Sequence, residues 1–362
     1  MAKPHFGQNE LKYVTECILT EWISSAGQYV NTFEEQFSQY CDTKYGISTS
    51  SGTTALHLAL LAANIGPGDE VIVPSLTFIA TANAVTYTGA TPIFVDSDPE
   101  IWTIDPNKIE EVITENTKAI IPVHLYGHPA DMDLILKIAH KYGLVVIEDA
   151  AEAHGAEYKG KKVGGIGDIG IFSFYGNKII TTGEGGMVVT NNPLYEEKIR
   201  ILRDHGMSKE KRYWHTVLGY NYRMTNIQAA IGVAQLEKID EIINKKRDIA
   251  HNYNELLGDV EGIIICPEEK DWAKNVYWLY TVLLENNNAK IDRDLLMYNL
   301  SKQNIETRPV FPPIHTQPIY SKNQMLPVCE SVSCRGFSLP SHPELKYDDI
   351  ETIIQTLRQE IN

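Results

Sequence analysis

Cysteine, cationic charge and long apolar runs are all scarce in this sequence, and each scarcity closes off a class of protein. The five cysteines are Cys17, Cys41, Cys266, Cys329 and Cys334. They form no Cys-x-x-Cys pair and no Cys/His cluster, so neither a zinc site nor a disulfide framework is expected and the thiols read as reduced. The 32 Lys and Arg are outnumbered by 47 Asp and Glu, for a formal charge of −15. Such a field opposes non-specific binding to nucleic acid or anionic lipid, although a local pocket can still admit an anion. No apolar run approaches the ~18–20 residues of a membrane helix. The opening MAKPHFGQNE also lacks the apolar segment of a secretory leader. The expectation is a cytoplasmic protein with no metal and no membrane or nucleic-acid partner. Internal repeats and low-complexity tracts are absent too.

What remains is ordinary globular composition, 43% hydrophobic and 22% charged over 362 residues, enough for two domains. Between about residues 45 and 190 short apolar runs alternate with helical patterns. Gly52-Thr53-Thr54 opens an apolar segment, Ala55 to Ala63, that stops at Gly66-Pro67-Gly68. Val71–Val73, Pro92–Val95, Ala119–Val123 and Leu144–Ile147 read as strands buried on both faces, with helices at Ile79–Thr88 and Met132–Tyr142. Ile169–Phe174 and Gly186–Thr190 read as two further strands. This is the pattern of a mainly parallel, helix-covered sheet. A charged helix is expected over Leu236–Leu257. Strands at Val276–Leu284 and Glu306–Pro309 follow it, with helices at Asp292–Gln303 and Asp348–Glu360. Residues 1–245 are therefore expected to form a large domain and 246–362 a smaller α+β one, with the first twenty residues lying against the smaller.

Three separated segments could build one phosphate and cofactor site. Ser50-Ser51-Gly52-Thr53-Thr54 stands at a predicted helix start, where free amides and the helix dipole suit a dianion. A simple Ser/Thr cap is the competing reading. In the second, Val145 to Gly155, Asp149 ends a buried strand, where α/β folds bind ligands. It could pair with a pyridine nitrogen, cap a helix or hold a metal. The third, Phe172 to Gly186, puts Lys178 in a turn between two strands. Desolvation there would leave some of its amine neutral, the form that makes imines. A surface lysine is the alternative, and the three segments together argue against it. Gly165-Ile166-Gly167-Asp168-Ile169-Gly170 matches G-x-G-x-x-G only formally. It precedes a strand, whereas the dinucleotide fingerprint opens a helix.

Together these segments resemble the DegT/DnrJ/StrS family of sugar aminotransferases. The likeness spans nearly the whole chain. It includes the phosphate loop, Glu148 to Gly155, Ser173-x-x-x-x-Lys178, and Gly219-Tyr220-Asn221-Tyr222-Arg223-Met224-Thr225 followed by Gln228-Ala229-Ala230. The resemblance implies an α/β fold of the aspartate-aminotransferase type (fold type I), with a large mainly parallel sheet domain and a smaller C-terminal α+β domain. It implies pyridoxal 5′-phosphate as cofactor, bound covalently by Lys178 as the catalytic residue, with Asp149 on the ring nitrogen. Gly52, Thr53 and Ser173 would hold the phosphate. Asn221 would reach the cofactor of a second subunit, making a homodimer with shared active sites. Phe78 would stack on the ring, unless it is a core aromatic. Glu152 falls where many relatives carry glutamine beside the ring hydroxyl. The dehydratases of the family have histidine where Lys178 stands, so transamination is implied.

Further stretches are similar to members that act on GDP-4-keto-6-deoxy-D-mannose, a GDP-linked keto-sugar, with L-glutamate as donor. Among them are Trp22-Ile23-Ser24-Ser25, Val123 to Met132, His205-Gly206-Met207, Arg212 to His215 and Arg308 to His315. Ser25, Arg308 and His315 thereby become candidate substrate contacts, with an ordinary surface ion pair competing at Arg308 and His315. UDP- or dTDP-linked keto-sugars share the same cofactor motifs and stay open as alternatives. A non-catalytic cofactor-binding regulator is disfavoured by the intact Lys178 and Asp149.

Overall fold

Seven short strands, nearly all apolar, gather into one sheet because neither of their faces can be left in water. The computed structural model describes residues 3–258, 260–265, 267–285, 291–321 and 323–361, so Cys266 lies outside the described residues. The large sheet is built from β1 (Tyr45–Thr49), β2 (Glu70–Pro74), β3 (Thr91–Val95), β4 (Thr117–Ile120), β5 (Val145–Asp149), β8 (Ile169–Ser173) and β9 (Gly186–Thr190). The excursion β6 (Glu157–Tyr158) and β7 (Lys161–Lys162) intervenes between β5 and β8 and pairs with β11 (Ala273–Lys274). The large-sheet order is β1-β9-β8-β5-β4-β2-β3. The five strands from β8 to β3 run parallel, and β9 is antiparallel to both of its neighbours.

Helices α1 (Asn9–Leu19) and α2 (Gln28–Tyr40) precede the sheet, and α3 (Gly52–Ala62), α4 (Ala80–Tyr87), α5 (Met132–Tyr142) and α6 (Pro193–Arg203) alternate with its strands. Helices α7 (Asn226–Leu236) and α8 (Ile239–Leu257) follow. A second sheet, β10 (Ile263–Ile265), β12 (Tyr280–Leu284), β14 (Gly336–Leu339) and β13 (Arg308–Pro309) in that order, is accompanied by α9 (Arg293–Lys302), α10 (Pro327–Arg335) and α11 (Tyr347–Ile361). The architecture is thus a large, mostly parallel α/β domain with a smaller C-terminal one. Two apolar cores match it. Ile239, Ile242 and Ile243 of α8 join the first core, while Ile249, Tyr253 and Leu257 of the same helix join the second.

Three elements differ from expectation. The charged helix expected over Leu236–Leu257 begins three residues late, at Ile239, because the chain turns at Glu237 and Lys238 after α7. Both side chains are drawn to α1: Lys238 pairs with Glu10 at 2.6 Å, and Glu237 accepts from Tyr13 at 2.7 Å. Helix α1 accordingly lies along α7, and His5, ahead of α1, pairs with Glu344 of the C-terminal part. Strand β12 begins at Tyr280, four residues later than the apolar run Val276–Leu284 suggests. There the Val276 amide donates to Gly127 O at 3.2 Å and Tyr277 takes φ 46°, bending the chain toward the large domain. Strand β4 stops at Ile120, just before Pro122. Among the described residues no helix is long and apolar enough to cross a membrane, and no group of three or more His, Cys, Asp or Glu could hold a metal.

Candidate active site

Strand β5 delivers two adjacent buried carboxylates to the C-terminal edge of the sheet, and strand alternation sends them to opposite faces. Glu148 is saturated by protein donors. Its Oε1 accepts the amides of Ile166 (2.7 Å) and Gly167 (2.6 Å), and its Oε2 accepts the Gly164 amide (2.7 Å). His124 completes the set. Its Nδ1 accepts the Ala130 amide at 3.0 Å, so Nε2 must carry the proton that it shares with Glu148 Oε2 at 3.0 Å. The formal G-x-G-x-x-G run is therefore an anion cradle filled by the protein's own carboxylate. Its glycines serve close packing: a Cβ on Gly170 would lie 2.0 Å from Gly164 O.

Asp149 faces the other way and has fewer partners. Thr81 Oγ1 donates to Oδ2 at 2.8 Å and the Ala151 amide to Oδ1 at 3.2 Å. Burial raises its pKa, against the Thr81 hydroxyl, the Ala151 amide and the charge of Lys178. Lys178 is held in the turn after β8, its amide donating to Tyr175 O at 3.0 Å. Its Nζ lies 3.6 Å from Glu152 Oε1 and 3.7 Å from the ring centroid of Trp278. Burial pushes the amine's pKa down, while Glu152 and Asp149 pull it back up. Burial also raises Glu152, countered by Lys178 and by the Tyr126 amide, which donates to Oε2 at 2.9 Å. Two buried carboxylates and one nearly buried amine are thus brought together.

The start of α3 closes one end of this region. Ser51 Oγ accepts the Thr54 amide at 3.2 Å and Thr54 Oγ1 accepts the Ser51 amide at 3.0 Å, a reciprocal cap. The Gly52 and Thr53 amides stand ahead of the helix with no earlier turn to bond to. A Cβ on Gly52 would sit 2.8 Å from Ser173 Cβ, so only glycine lets the helix start meet the end of β8. The Ser50 amide donates to Tyr222 O at 2.8 Å, and Gln228 Nε2 donates to Glu184 O at 2.7 Å. The dispersed motifs Ser50–Thr54, Ser173–Gly186 and Gly219–Gln228 therefore converge at one end of the sheet.

The other candidates stand apart. Among the described residues no hydrogen bond or ion pair links Ser25, Phe78, Asn221, Arg308 or His315 to Lys178, Asp149 or Glu152. Phe78 is 56% exposed on the segment after β2, with Phe311 5.9 Å away. Asn221 is exposed, its backbone paired with Asp204, and Ser25 is half-buried between α1 and α2. Arg308 lies at the exposed edge of the small sheet and pairs with Glu306 at 2.8 Å. His315 is buried, with Nδ1 at 2.6 Å from Ser75 Oγ and Nε2 at 3.1 Å from Glu330. Three residues that touch the site were not singled out from sequence: Thr81, Tyr126 and Trp278. Tyr126 is a buried aromatic at φ 54°, a conformation that costs about 1–2 kcal/mol and that tends to mark functional sites. A hydroxyl on the second residue of α4 and an aromatic before β12 carry no local signal of what they will meet.

The sequence matches the DegT/DnrJ/EryC1/StrS aminotransferase family over residues 4–358. It is 49% identical over 361 residues to GDP-perosamine synthase of Caulobacter vibrioides, covering 99% of this chain and 97% of that protein. It is 48% identical over 358 residues to GDP-perosamine synthase of Escherichia coli O157:H7, again covering 99% and 97%. The fold superposes with a TM-score of 0.92 on S. venezuelae DesV, solved with a ketimine intermediate, at 36% identity over 98% of this chain and 95% of that one.

The residues present fit a pyridoxal phosphate. The Gly52–Ser173 approach makes a cradle that a Cβ would fill, headed by helix amides suited to a dianion. Asn177 Oδ1, beside Lys178, is buried with no hydrogen-bond partner among the described residues. Asp149 keeps acceptor capacity for a ring N–H, and a desolvated lysine stands where a carbonyl carbon could be met.

Proposed function

The chain belongs to the DegT/DnrJ/EryC1/StrS aminotransferase family, and from that premise we propose that it moves the amino group of L-glutamate onto GDP-4-keto-6-deoxy-D-mannose. The products are GDP-perosamine, a precursor of surface polysaccharide, and 2-oxoglutarate. That it is a pyridoxal-phosphate-dependent aminotransferase follows from the family and from the fold. The observation that carries the choice of substrate is the near full-length similarity to two GDP-perosamine synthases.

When bound, the cofactor supplies an electron sink that lets the donor's Cα–H bond ionise and its amino group change hands. The chain's own groups do the rest. In our reading Lys178 is both the attachment point and the proton carrier, since burial lowers its pKa and so favours the neutral amine. Glu152, 3.6 Å from Nζ, steadies the ammonium form when the proton arrives. Asp149 holds the ring nitrogen protonated, and its orientation is set by Thr81 and Ala151. Gly52, Thr53 and Ser173 bind the phosphate, and Phe78, on its exposed segment, covers the ring. Ser25 and Arg308 are the substrate contacts we retain. The ring of His315 is occupied by Ser75 and Glu330, which leaves it to hold its loop.

Asn221 is exposed in one chain, Tyr213, Trp214 and Leu218 are exposed in the segment that precedes it, and Leu19, Trp22 and Ile23 are exposed near the start of the chain. We take these as the face of a homodimer in which Asn221 serves the partner's cofactor. We also take the smaller domain to begin near residue 246, where α8 passes from one core to the other.

The test is a panel of GDP-, UDP- and dTDP-linked 4-keto-6-deoxyhexoses offered to the purified protein with L-glutamate. Amination of the GDP sugar with stoichiometric 2-oxoglutarate is expected. Turnover of a dTDP or UDP sugar alone would overturn the GDP assignment. Mixed dimers of Lys178→Ala and Asn221→Ala subunits are expected to recover activity that neither parent has.

A further inference from the structure

Trp278 belongs to none of the motifs that converge on the site, yet its ring lies about as near to Lys178 Nζ as Glu152 does. The bend at Val276 and Tyr277 turns it out of the small sheet and into the boundary between the domains, where it is 4% exposed. Its indole Nε1–H donates to Asn177 O, one residue before the lysine, at 2.7 Å. Its ring receives Lys178 Nζ 3.7 Å from the centroid. Trp278 also stacks on Tyr126, with planes 15° apart and centroids at 6.1 Å. The amide of Tyr126 is taken by Glu152, the carboxylate that faces Lys178. The contacts close a ring: lysine to tryptophan, tryptophan to tyrosine, tyrosine to glutamate, glutamate back to lysine. A residue that merely filled space would need neither the bond to the lysine's own turn nor an amine over its π face, where a cation is attracted.

We propose that Trp278 is a positioning residue for Lys178, fixing the turn through its N–H and aiming the amine with its ring face, so that packing of the C-terminal domain against the large one sets the geometry of cofactor attachment. This rests on the reading of Lys178 as the attachment lysine. Two variants separate the two contacts. Trp278→Phe keeps a ring face and loses the N–H; Trp278→Leu keeps the site dry and loses both.

The readouts are the rate at which cofactor-stripped protein gains its visible absorbance band on addition of pyridoxal 5′-phosphate, and the pH profile of Lys178 acylation in the stripped protein, followed by mass spectrometry. Trp278→Phe is expected to load a few-fold more slowly with an unchanged acylation profile. Trp278→Leu is expected to load about tenfold more slowly, with its profile moved roughly one pH unit toward acid as the ammonium loses the ring. Wild-type loading and profiles in both variants would overturn the proposal, as would a lower melting temperature with neither readout moved. If Trp278→Leu does not fold, the loading rate of Trp278→Phe decides: slower supports the anchor, unchanged overturns it. Lys178→Ala is run alongside. Absence of the band there, with the band present in wild type, keeps the lysine assignment intact whatever the tryptophan variants show. A band that persists in Lys178→Ala overturns both.

Discussion

Glu148 and Asp149 are neighbours on one strand, equally cut off from water, yet they are furnished in opposite ways. Glu148 has four donors within 3.0 Å and leaves nothing over, whereas Asp149 has two and keeps capacity for another. The buried lysines divide similarly. Among the described residues Lys246 of α8 meets a single carbonyl, Ser341 O at 2.7 Å, and burial alone pushes it down to about 7. Lys178 is opposed by two carboxylates and faced by an aromatic ring. Burial of a charge therefore does not mark a site. What marks it is a charge whose surroundings are incomplete and opposed by other titratable groups, a condition met around Lys178 and not around Glu148.

The contrast can be broken from either side. The largest effect is expected from Lys178→Ala, which should cut transamination by about 10⁴-fold while leaving the urea midpoint near wild type, measured by 2-oxoglutarate release. Lys246→Met comes next, on stability. The folded pKa of Lys246 lies below its ordinary 10.5, so the unfolded chain binds more protons than the folded one between about 7 and 10.5. The penalty is full below about 7 and fades as pH rises toward 10.5. The variant should be more stable by up to about 5 kcal/mol at pH 6, an advantage that shrinks to nothing by about pH 10.5 in urea titrations. An equal gain at both pH values would mean that packing, not charge, is responsible.

Asp149→Asn removes a charge that we assign to the ring nitrogen, and roughly 10²–10³-fold in kcat is the expected loss, with little change in melting temperature. The smallest effect belongs to Glu148→Gln. Its amide would turn an N–H toward amides that already donate, for a cost of about 1–3 kcal/mol in stability. The folded fraction should aminate at the wild-type level. Loss of activity without loss of stability would erase the distinction between the two carboxylates.

Much of this was legible beforehand. The runs of apolar residues, the stop at Gly66-Pro67-Gly68 and the cap at Ser51 act within a few residues of themselves, and six of the seven large-sheet strands appear near where they point; β1 was not anticipated and β4 ends three residues early. Asp149 at a strand end and Lys178 in a turn were readable for the same reason. The helix break at Glu237–Lys238 was not, because it is held by Glu10 and Tyr13, more than two hundred residues away in the chain. The late start of β12 hangs on Gly127 O, far upstream.

Sequence alone therefore settled the class of fold and the segments that meet at the C-terminal edge of the sheet, since periodicity, caps and motif spacing are local properties of the chain, and its resemblance to known members settled the family. Only the tertiary structure decided which carboxylate is saturated and which is left open, why a glycine run that looks like a nucleotide loop is filled by Glu148, and that an aromatic from the boundary between the domains lies over the lysine. Those are facts about donors, rings and desolvation brought together from distant positions, and no short stretch of sequence contains them.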